Sequence, residues 1–211
     1  MDDIRPAAIK IGMLPDAETV CIVAETLKKY KELPIIVDPV ITATSGMQLT
    51  NMDSLEAMKS LLFPIATLIT PNVDEAALVT GHKVHDAVGV QAAAEALLSF
   101  GSRAVLVKGG HLTGPVLHNI YVDRMGIKRL FSYPYISSFN THGTGCTLAS
   151  AITAYIARRE SLQNAIAAAG NYVNIAIKEG RHVKTGNGCG PLNHFFKPRK
   201  LARLEWPPNG K

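Results

Sequence analysis

The chain has 211 residues, of which 47% are hydrophobic and 18% are charged, a balance that fits one globular domain. Its acidic N-terminus argues against a signal peptide, and no apolar run approaches the roughly 18 residues of a membrane helix, so we expect a cytoplasmic protein without a membrane partner. The net charge is +5, but +4 of it lies in residues 197–211, which predicts a domain over 1–196 with a basic tail and argues against a nucleic-acid partner.

Short β-branched runs alternate with helical patterns along the chain. Strands are predicted over 9–13, 34–40, 66–71, 103–110, 116–123 and 127–135. Helices are predicted over 16–31, near 53–62, from Val73, over 86–100, and twice after Gly143. In the first helix, one buried stripe comprises Val20, Val23, Ala24, Leu27 and Tyr30. The strands are apolar on both faces, which predicts an α/β fold whose mostly parallel sheet is covered by helices on both sides, with an antiparallel pair at 116–135.

Polar residues and glycines collect at the predicted strand ends. These ends read Gly12-Met13, Asp38-Pro39, Pro71-Asn72 and Lys108-Gly109-Gly110. Ligands of open α/β sheets bind beyond the carboxyl ends of the strands. Turn formation alone would explain any single one of these ends, but the whole set predicts a ligand-binding edge.

The stretch Gly143-Thr144-Gly145-Cys146 opens a predicted helix. Helix N-termini leave backbone N–H groups unsatisfied, and glycines let a phosphate approach the backbone closely, so an anion hole is predicted here. A thiol in that field favours its thiolate form, which makes Cys146 a candidate base or nucleophile. The alternatives are that Gly-Thr-Gly only shapes the turn and that the cysteine is inert, as we expect for Cys21. The cysteines show no disulfide or zinc-ligand spacing.

Asn72 and Glu75 lie three residues apart at a predicted helix start. Their oxygens suit a hydrated Mg²⁺ that is held through one or two protein groups and substrate phosphates. They would equally form a capping box, and the spacing does not decide between the two. Lys108 is a candidate phosphate ligand or a solvated surface lysine. Asp38 is a second candidate carboxylate near the metal or a turn residue.

These elements together are the parts of a phosphoryl-transfer site. The sequence contains neither a GxxxxGK[ST] loop nor a GxGxxG loop, so the phosphate cradle must be Gly143 to Cys146. Six segments then follow in a distinctive order: KIGML, VDPV, LFPIATLITPNVDEA, VLVKGGHL, NTHGTGCTLASAI and GPLNHFF. Their order and spacing resemble the hydroxymethylpyrimidine/phosphomethylpyrimidine kinases, the thiamine-pathway members of the ribokinase-like superfamily. The resemblance covers about residues 8–196, and cysteine in THGTGC is specific because sugar kinases of the superfamily carry aspartate there.

The resemblance implies a ribokinase-like three-layer fold and a homodimer. It also implies that ATP and Mg²⁺ are used to phosphorylate hydroxymethylpyrimidine and then its monophosphate. Carried over by position, Cys146 is the base toward the substrate hydroxyl, and Gly143, Thr144 and Gly145 form the anion hole. Lys108 is the phosphate-contacting lysine.

The same comparison by position assigns the metal and substrate residues. Asn72 and Glu75 match the family's N-x-x-E element, which holds Mg²⁺ through water. Asp38 matches the DPV aspartate near the metal and the phosphates, so all three belong to the predicted ATP site. The residues predicted to contact the substrate are Met13, Val40 and His142.

Two departures from the family pattern bear on these expectations. Cys189 stands where many relatives carry histidine, which we do not expect to affect the chemistry. Family members begin with a glycine-rich segment that supplies the first strand and much of the pyrimidine pocket, and the printed sequence contains no counterpart of it. We therefore expect a fold without the N-terminal strands, an exposed edge at the first strand, and an intact nucleotide side.

Three other functions remain open on the sequence. One is a pyridoxal kinase, because related enzymes phosphorylate both hydroxymethyl heterocycles. Another is a non-catalytic nucleotide-binding protein, which would accord with the absent substrate segment. The third is a cysteine-nucleophile hydrolase, although nothing in the sequence places the His142 imidazole near the Cys146 thiol.

Overall fold

Strands and helices alternate in the computed structural model, which describes residues 1, 3–42, 49–82, 84, 86–109, 114–184, 186–198 and 200. The strands are β1 (Ile9–Ile11), β2 (Ile35–Val37), β3 (Leu68–Ile69), β4 (Ala104–Lys108), β5 (Val116–Asp123) and β6 (Lys128–Pro134). The α-helices are α1 (Ala17–Leu27), α2 (Met52–Ala57), α3 (Val73–Thr80), α4 (Ala87–Leu98), α5 (Thr144–Ala157) and α6 (Leu162–Gly180). Each predicted strand and helix has its counterpart.

The strands form one sheet in the order β1-β2-β3-β4-β5-β6. The first four are parallel, and β5 and β6 run antiparallel to their neighbours, which confirms the predicted topology. Within the described part of the chain, β1 pairs with β2 alone and is an edge strand. Val37 of β2 pairs with Ile69 of β3, so Asp38 and Thr70 come next in line at the carboxyl ends of these two strands.

Successive side chains of the parallel strands point into two separate cores. Val37 and Ile69 pack with α1 to α4 on one face of the sheet, and Ile36 and Leu68 pack with α5 and α6 on the other. All four side chains are at most 1% exposed, and such burial stabilises the fold by about 1.5–3 kcal/mol for each. The predicted three-layer fold is therefore confirmed. No helix in the described ranges is long and apolar enough to cross a membrane.

The helix starts differ in one respect that matters for function. Side chains cap the other five α-helices that the structure describes, each accepting a backbone N–H of the first turn: Asp16, Asn51, Asn72, Asp86 and Ser161. At α5 the capping position is Gly143, which has no side chain to do this. The Thr144 N–H donates to the Thr141 carbonyl, which leaves the next N–H groups of this turn for another acceptor.

The structure corrects the bounds of the first predicted helix. α1 ends at Leu27 rather than at residue 31. Tyr30 therefore lies beyond the helix, in a turn where its N–H donates to the Leu27 carbonyl at 2.9 Å. The buried stripe of α1 ends at Leu27, and the side chains of Val20 and Ala24 complete it.

The helix predicted near 53–62 is also different in detail. α2 continues into a π-helical turn (Met58–Leu62) and a 3-10 turn (Phe63–Ile65). Pro64 lacks an N–H group, so the α-helical hydrogen-bond ladder cannot continue through it. The basic tail stays a prediction, because residues 199 and 201–211 lie outside those described.

Candidate active site

The first turn of α5 presents backbone N–H groups at the carboxyl edge of the sheet. Gly143 has φ of +83°, a left-handed conformation that glycine adopts without strain. Its carbonyl accepts the Thr147 N–H at 2.8 Å, and the Thr144 hydroxyl donates to the Thr141 carbonyl. Among the described residues, no acceptor binds the N–H groups of Gly145 and Cys146. This turn therefore suits an anion.

Lys108 and Asp38 form a buried ion pair beside this turn. Lys108 ends β4, and its Nζ lies 2.7 Å from Oδ1 of Asp38, which follows β2. The same Oδ1 accepts a hydrogen bond of 2.9 Å from the Thr70 hydroxyl. A methyl group on Gly145 would lie 3.1 Å from the Lys108 Nζ. The ends of β2 and β4 thus meet the start of α5, where Lys108 adds a positive charge.

Asn72 and Glu75 form a complete capping box at the start of α3. Oδ1 of Asn72 accepts the Glu75 N–H at 2.8 Å, and Oε2 of Glu75 accepts the Asn72 N–H at 2.7 Å. Glu75 is 4% exposed, and its Oε1 accepts a longer bond of 3.4 Å from the Ile41 N–H. The capping alternative is therefore present in the structure, and a metal role for the two residues stays a prediction.

Glu75 is electrostatically coupled to the ion pair. Burial raises the pKa of Glu75 above its ordinary value. The Lys108 charge and the hydrogen bonds from Asn72 and Ile41 oppose this rise, whereas the Asp38 charge adds to it. With Asp38, Glu75 and Lys108 all ionised, the group carries one net negative charge, so a cation nearby would favour the ionised form of Glu75.

Glu75→Gln should remove a pH dependence of stability. The raised pKa means that the folded chain holds this proton more tightly than the unfolded chain. The contribution of Glu75 to the free energy of unfolding therefore falls as the pH rises from 4.5, the ordinary pKa of a glutamate, through the raised pKa of the folded chain. Glutamine does not ionise and keeps an acceptor for the Asn72 N–H, so the stability of the variant relative to the native chain should increase across that window.

Urea unfolding of both chains between about pH 4 and about pH 8 measures this difference. A difference that stays constant over the whole range would contradict the assignment of a raised pKa to Glu75.

Oxygen ligands for a hydrated Mg²⁺ are available at this edge of the sheet. Oδ2 of Asp38 lies 3.9 Å from the position of a methyl group on Gly145, and no donor from the described ranges binds it. No group of three or more His, Cys, Asp or Glu side chains among those described could enclose a metal. The donor set therefore fits an ion that keeps most of its waters and is held through carboxylates and ligand phosphates.

The remaining predicted residues lie around this edge. Cys146 is exposed and its thiol is free. His142 is also exposed, and its described hydrogen bond is that of its backbone N–H to the Gly190 carbonyl at 3.2 Å. Met13, which is 49% exposed, and the half-buried Val40 follow β1 and β2. Their substrate roles, like that of His142, stay predictions.

Two cavities flank the start of α5, and neither was predicted from the sequence. One of about 540 Å³ runs from Cys146 along α5 to Arg158. The other, of about 650 Å³, is lined by Thr141, Cys189 and the residues after α6. A hydrogen bond between the Thr141 hydroxyl and the Cys189 thiol, with 3.6 Å between Oγ1 and Sγ, lowers the pKa of that thiol. The sequence signal that could have indicated the second cavity is the position of Thr141, directly before His-Gly-Thr-Gly-Cys.

Comparison with curated proteins gives close relatives. The chain is 42% identical over 194 residues to the thiamine biosynthesis bifunctional protein ThiED of Geobacter sulfurreducens, covering 92% of this chain and 39% of that protein. It is 39% identical over 196 residues to the hydroxymethylpyrimidine/phosphomethylpyrimidine kinase of Rhizobium meliloti, covering 92% of this chain and 73% of the relative. The chain therefore spans well under half of the bifunctional protein and most of the single kinase.

Solved structures share the fold. The Staphylococcus aureus pyridoxal kinase in complex with ADP matches with a TM-score of 0.83 and 32% identity, covering 91% of this chain and 69% of that one. The phosphomethylpyrimidine kinase of Clostridium difficile matches with a TM-score of 0.69 and 37% identity, covering 85% and 71%. The family model described as phosphomethylpyrimidine kinase matches residues 1–193. The chain belongs to the phosphomethylpyrimidine kinase family and has its ribokinase-like fold.

Proposed function

We propose that this chain transfers a phosphoryl group from ATP to hydroxymethylpyrimidine and to its monophosphate. One observation carries the proposal: the Lys108 ammonium, paired with Asp38 at 2.7 Å, lies against Gly145 where the backbone of α5 is open to an anion. Cys146 is the next residue, so a base candidate stands beside a phosphate cradle. Membership of the family and the names of its relatives support the pyrimidine as substrate.

The proposed reaction uses Cys146 as the base. Its thiolate accepts the proton of the substrate hydroxyl as that oxygen attacks the γ-phosphorus of ATP. A P–O bond forms to the substrate, the bond to the bridging oxygen breaks, and its electron pair leaves with ADP. The N–H groups of Gly145 and Cys146 and the Lys108 ammonium stabilise the charge on the transferring oxygens. In the second reaction the attacking atom is an oxygen of the substrate's phosphate.

The proposed metal residues are Asp38, Asn72 and Glu75. Bound Mg²⁺ would neutralise charge on the β- and γ-phosphates. Asp38 offers its Oδ2, and Glu75 acts through water from its place in the capping box. Asn72 keeps the Glu75 carboxylate in that place, because its N–H binds Oε2 at 2.7 Å.

The cavity beside Thr141 is the proposed nucleotide site. Its volume of about 650 Å³ lies within the range of roughly 300–1,000 Å³ typical of small-molecule sites. Arg181 and Lys184 line it, so two cationic side chains are available to bind a polyphosphate that extends toward α5. It adjoins the anion site through Thr141, the acceptor of the Thr144 hydroxyl.

Gly145→Ala should lower activity while the chain still folds. Gly145 is the second residue of α5, and alanine is compatible with a helical backbone. The new methyl group would press on the Lys108 Nζ, 3.1 Å away, and we expect this displacement to lower kcat/KM by about tenfold or more. Steady-state kinetics and urea unfolding on one preparation test both statements. Native kinetics in the variant would mean that the Lys108 ammonium is not held against α5 during the reaction.

Pyridoxal phosphorylation is the second candidate function. The structural match to pyridoxal kinases favours it, whereas the family and the sequence relatives favour the pyrimidine. We further propose that the chain acts as a cytoplasmic homodimer, and light scattering of the purified chain tests the dimer.

The deciding experiment is ADP release by the purified chain with Mg-ATP and one of three acceptors. These are hydroxymethylpyrimidine, its monophosphate and pyridoxal, each compared with a reaction without acceptor. We expect turnover with both pyrimidines and a lower kcat/KM with pyridoxal. ATP binding without turnover on any acceptor would contradict the kinase assignment and favour a nucleotide-binding role.

A further inference from the structure

Thr70 is a buried residue that the proposed reaction does not use. It follows β3 directly, is 0% exposed, and its N–H donates to the Val37 carbonyl at 2.9 Å. Its hydroxyl donates to Oδ1 of Asp38 at 2.9 Å. Because backbone and side chain are both bonded to β2 or the residue after it, Thr70 holds a fixed place beside the Asp38 carboxylate.

The two oxygens of Asp38 have different surroundings. Oδ1 accepts from Thr70 and from Lys108 at 2.7 Å. Oδ2 has no donor among the residues that the structure describes and lies 3.9 Å from the position of a methyl group on Gly145. Because both donors bind Oδ1, the Oδ2 atom is directed toward the start of α5, where the phosphates of a nucleotide are proposed to lie.

The two donors differ in how firmly they are held. The Lys108 side chain is 15% exposed, and it is long and flexible, so a phosphate at α5 competes with Asp38 for its ammonium. The Thr70 hydroxyl is attached to a backbone already bonded into the sheet. If Lys108 turned to a phosphate, the bond from Thr70 to Asp38 would remain.

We propose that Thr70 is a positioning residue that keeps Oδ2 of Asp38 directed toward a hydrated divalent cation bound with the nucleotide phosphates. The proposal rests on the proposed function, because it concerns how the chain holds a metal and a nucleotide. It adds a residue to the site whose hydroxyl acts only through Asp38 and touches neither ligand.

The test compares Thr70→Val, which removes the hydroxyl and keeps the shape, with Thr70→Ser, which keeps the hydroxyl. ADP is titrated calorimetrically into each chain with and without Mg²⁺. The native chain and Thr70→Ser should bind ADP more tightly with Mg²⁺, and Thr70→Val should lose about tenfold of that gain. ADP affinity without Mg²⁺ should be equal in all three. If the chain is active, the Mg²⁺ concentration that gives half-maximal rate should be higher in Thr70→Val than in the native chain. In Thr70→Ser it should equal the native value.

Several outcomes would overturn the proposal. Thr70→Val with a native response to Mg²⁺ would do so, as would a native chain whose ADP affinity is independent of Mg²⁺. A loss of ADP affinity of the same size with and without Mg²⁺ would make Thr70 structural. Thr70→Ala provides the same comparison if the valine variant does not fold. Titration with ADP needs no pyrimidine, so a chain that binds Mg-ADP but phosphorylates nothing would refute the proposed function while still deciding the role of Thr70.

Discussion

Cys146→Ser is expected to lower kcat by about 10²–10⁴-fold, the contribution typical of a general base. A serine hydroxyl is a far weaker base than a thiolate, while its size and its backbone N–H preserve the first turn of α5. The anion site itself should therefore survive, and ADP should bind with nearly native affinity. ADP release in the presence of hydroxymethylpyrimidine and calorimetric titration with ADP measure the two quantities separately.

Cys21→Ser is the matched control. Cys21 lies in α1, on the opposite face of the sheet from α5, so its replacement should leave both quantities unchanged. An equal loss of rate and of ADP affinity in Cys146→Ser would assign this cysteine to the structure of the turn. Alkylation cannot replace this comparison, because Cys189 is also exposed and its hydrogen bond with Thr141 lowers its thiol pKa.

The fold followed from the apolar patterns because those patterns are local. β2 and β4 are apolar on both faces since both faces are covered, and the two cores that receive Ile36 and Val37 confirm this. The end of α1 did not follow from the sequence, for a physical reason. Lys28 to Leu33 continue a helical composition, yet the chain turns after Leu27, and no propensity in the sequence marks that point.

The site was predictable only where its residues share a motif. Gly143 to Cys146 are contiguous, so their anion-binding character could be inferred from helix geometry. Thr70 was overlooked because its partner Asp38 lies 32 residues earlier, and their contact depends on the register of β2 against β3. Asn72 and Glu75 are close in sequence, but their spacing allowed either a capping box or a metal site. The structure contains the capping box, and this box is compatible with a metal bound through water.

Lys108→Met should lower kcat/KM by about 10²–10³-fold, the loss typical when one preorganised electrostatic donor is removed. It should also destabilise the fold. Asp38 is 1% exposed, and removing its ionic partner leaves a buried carboxylate bonded to Thr70, for which about 3–5 kcal/mol is the usual range. Urea unfolding and ADP-release kinetics therefore both have to be measured, since a loss of folded protein would imitate a loss of activity.

The double variant Lys108→Met with Asp38→Asn separates the two effects. Asparagine carries no charge and its carbonyl still accepts the Thr70 hydroxyl, so the double variant should recover most of the lost stability. Activity should not return, because the ammonium that contacts the phosphate is still missing and the Asp38 carboxylate proposed for the metal is replaced as well. If activity rose with stability in the double variant, the Lys108–Asp38 pair would serve the fold alone, and the phosphate would have to be held by the first turn of α5 without it.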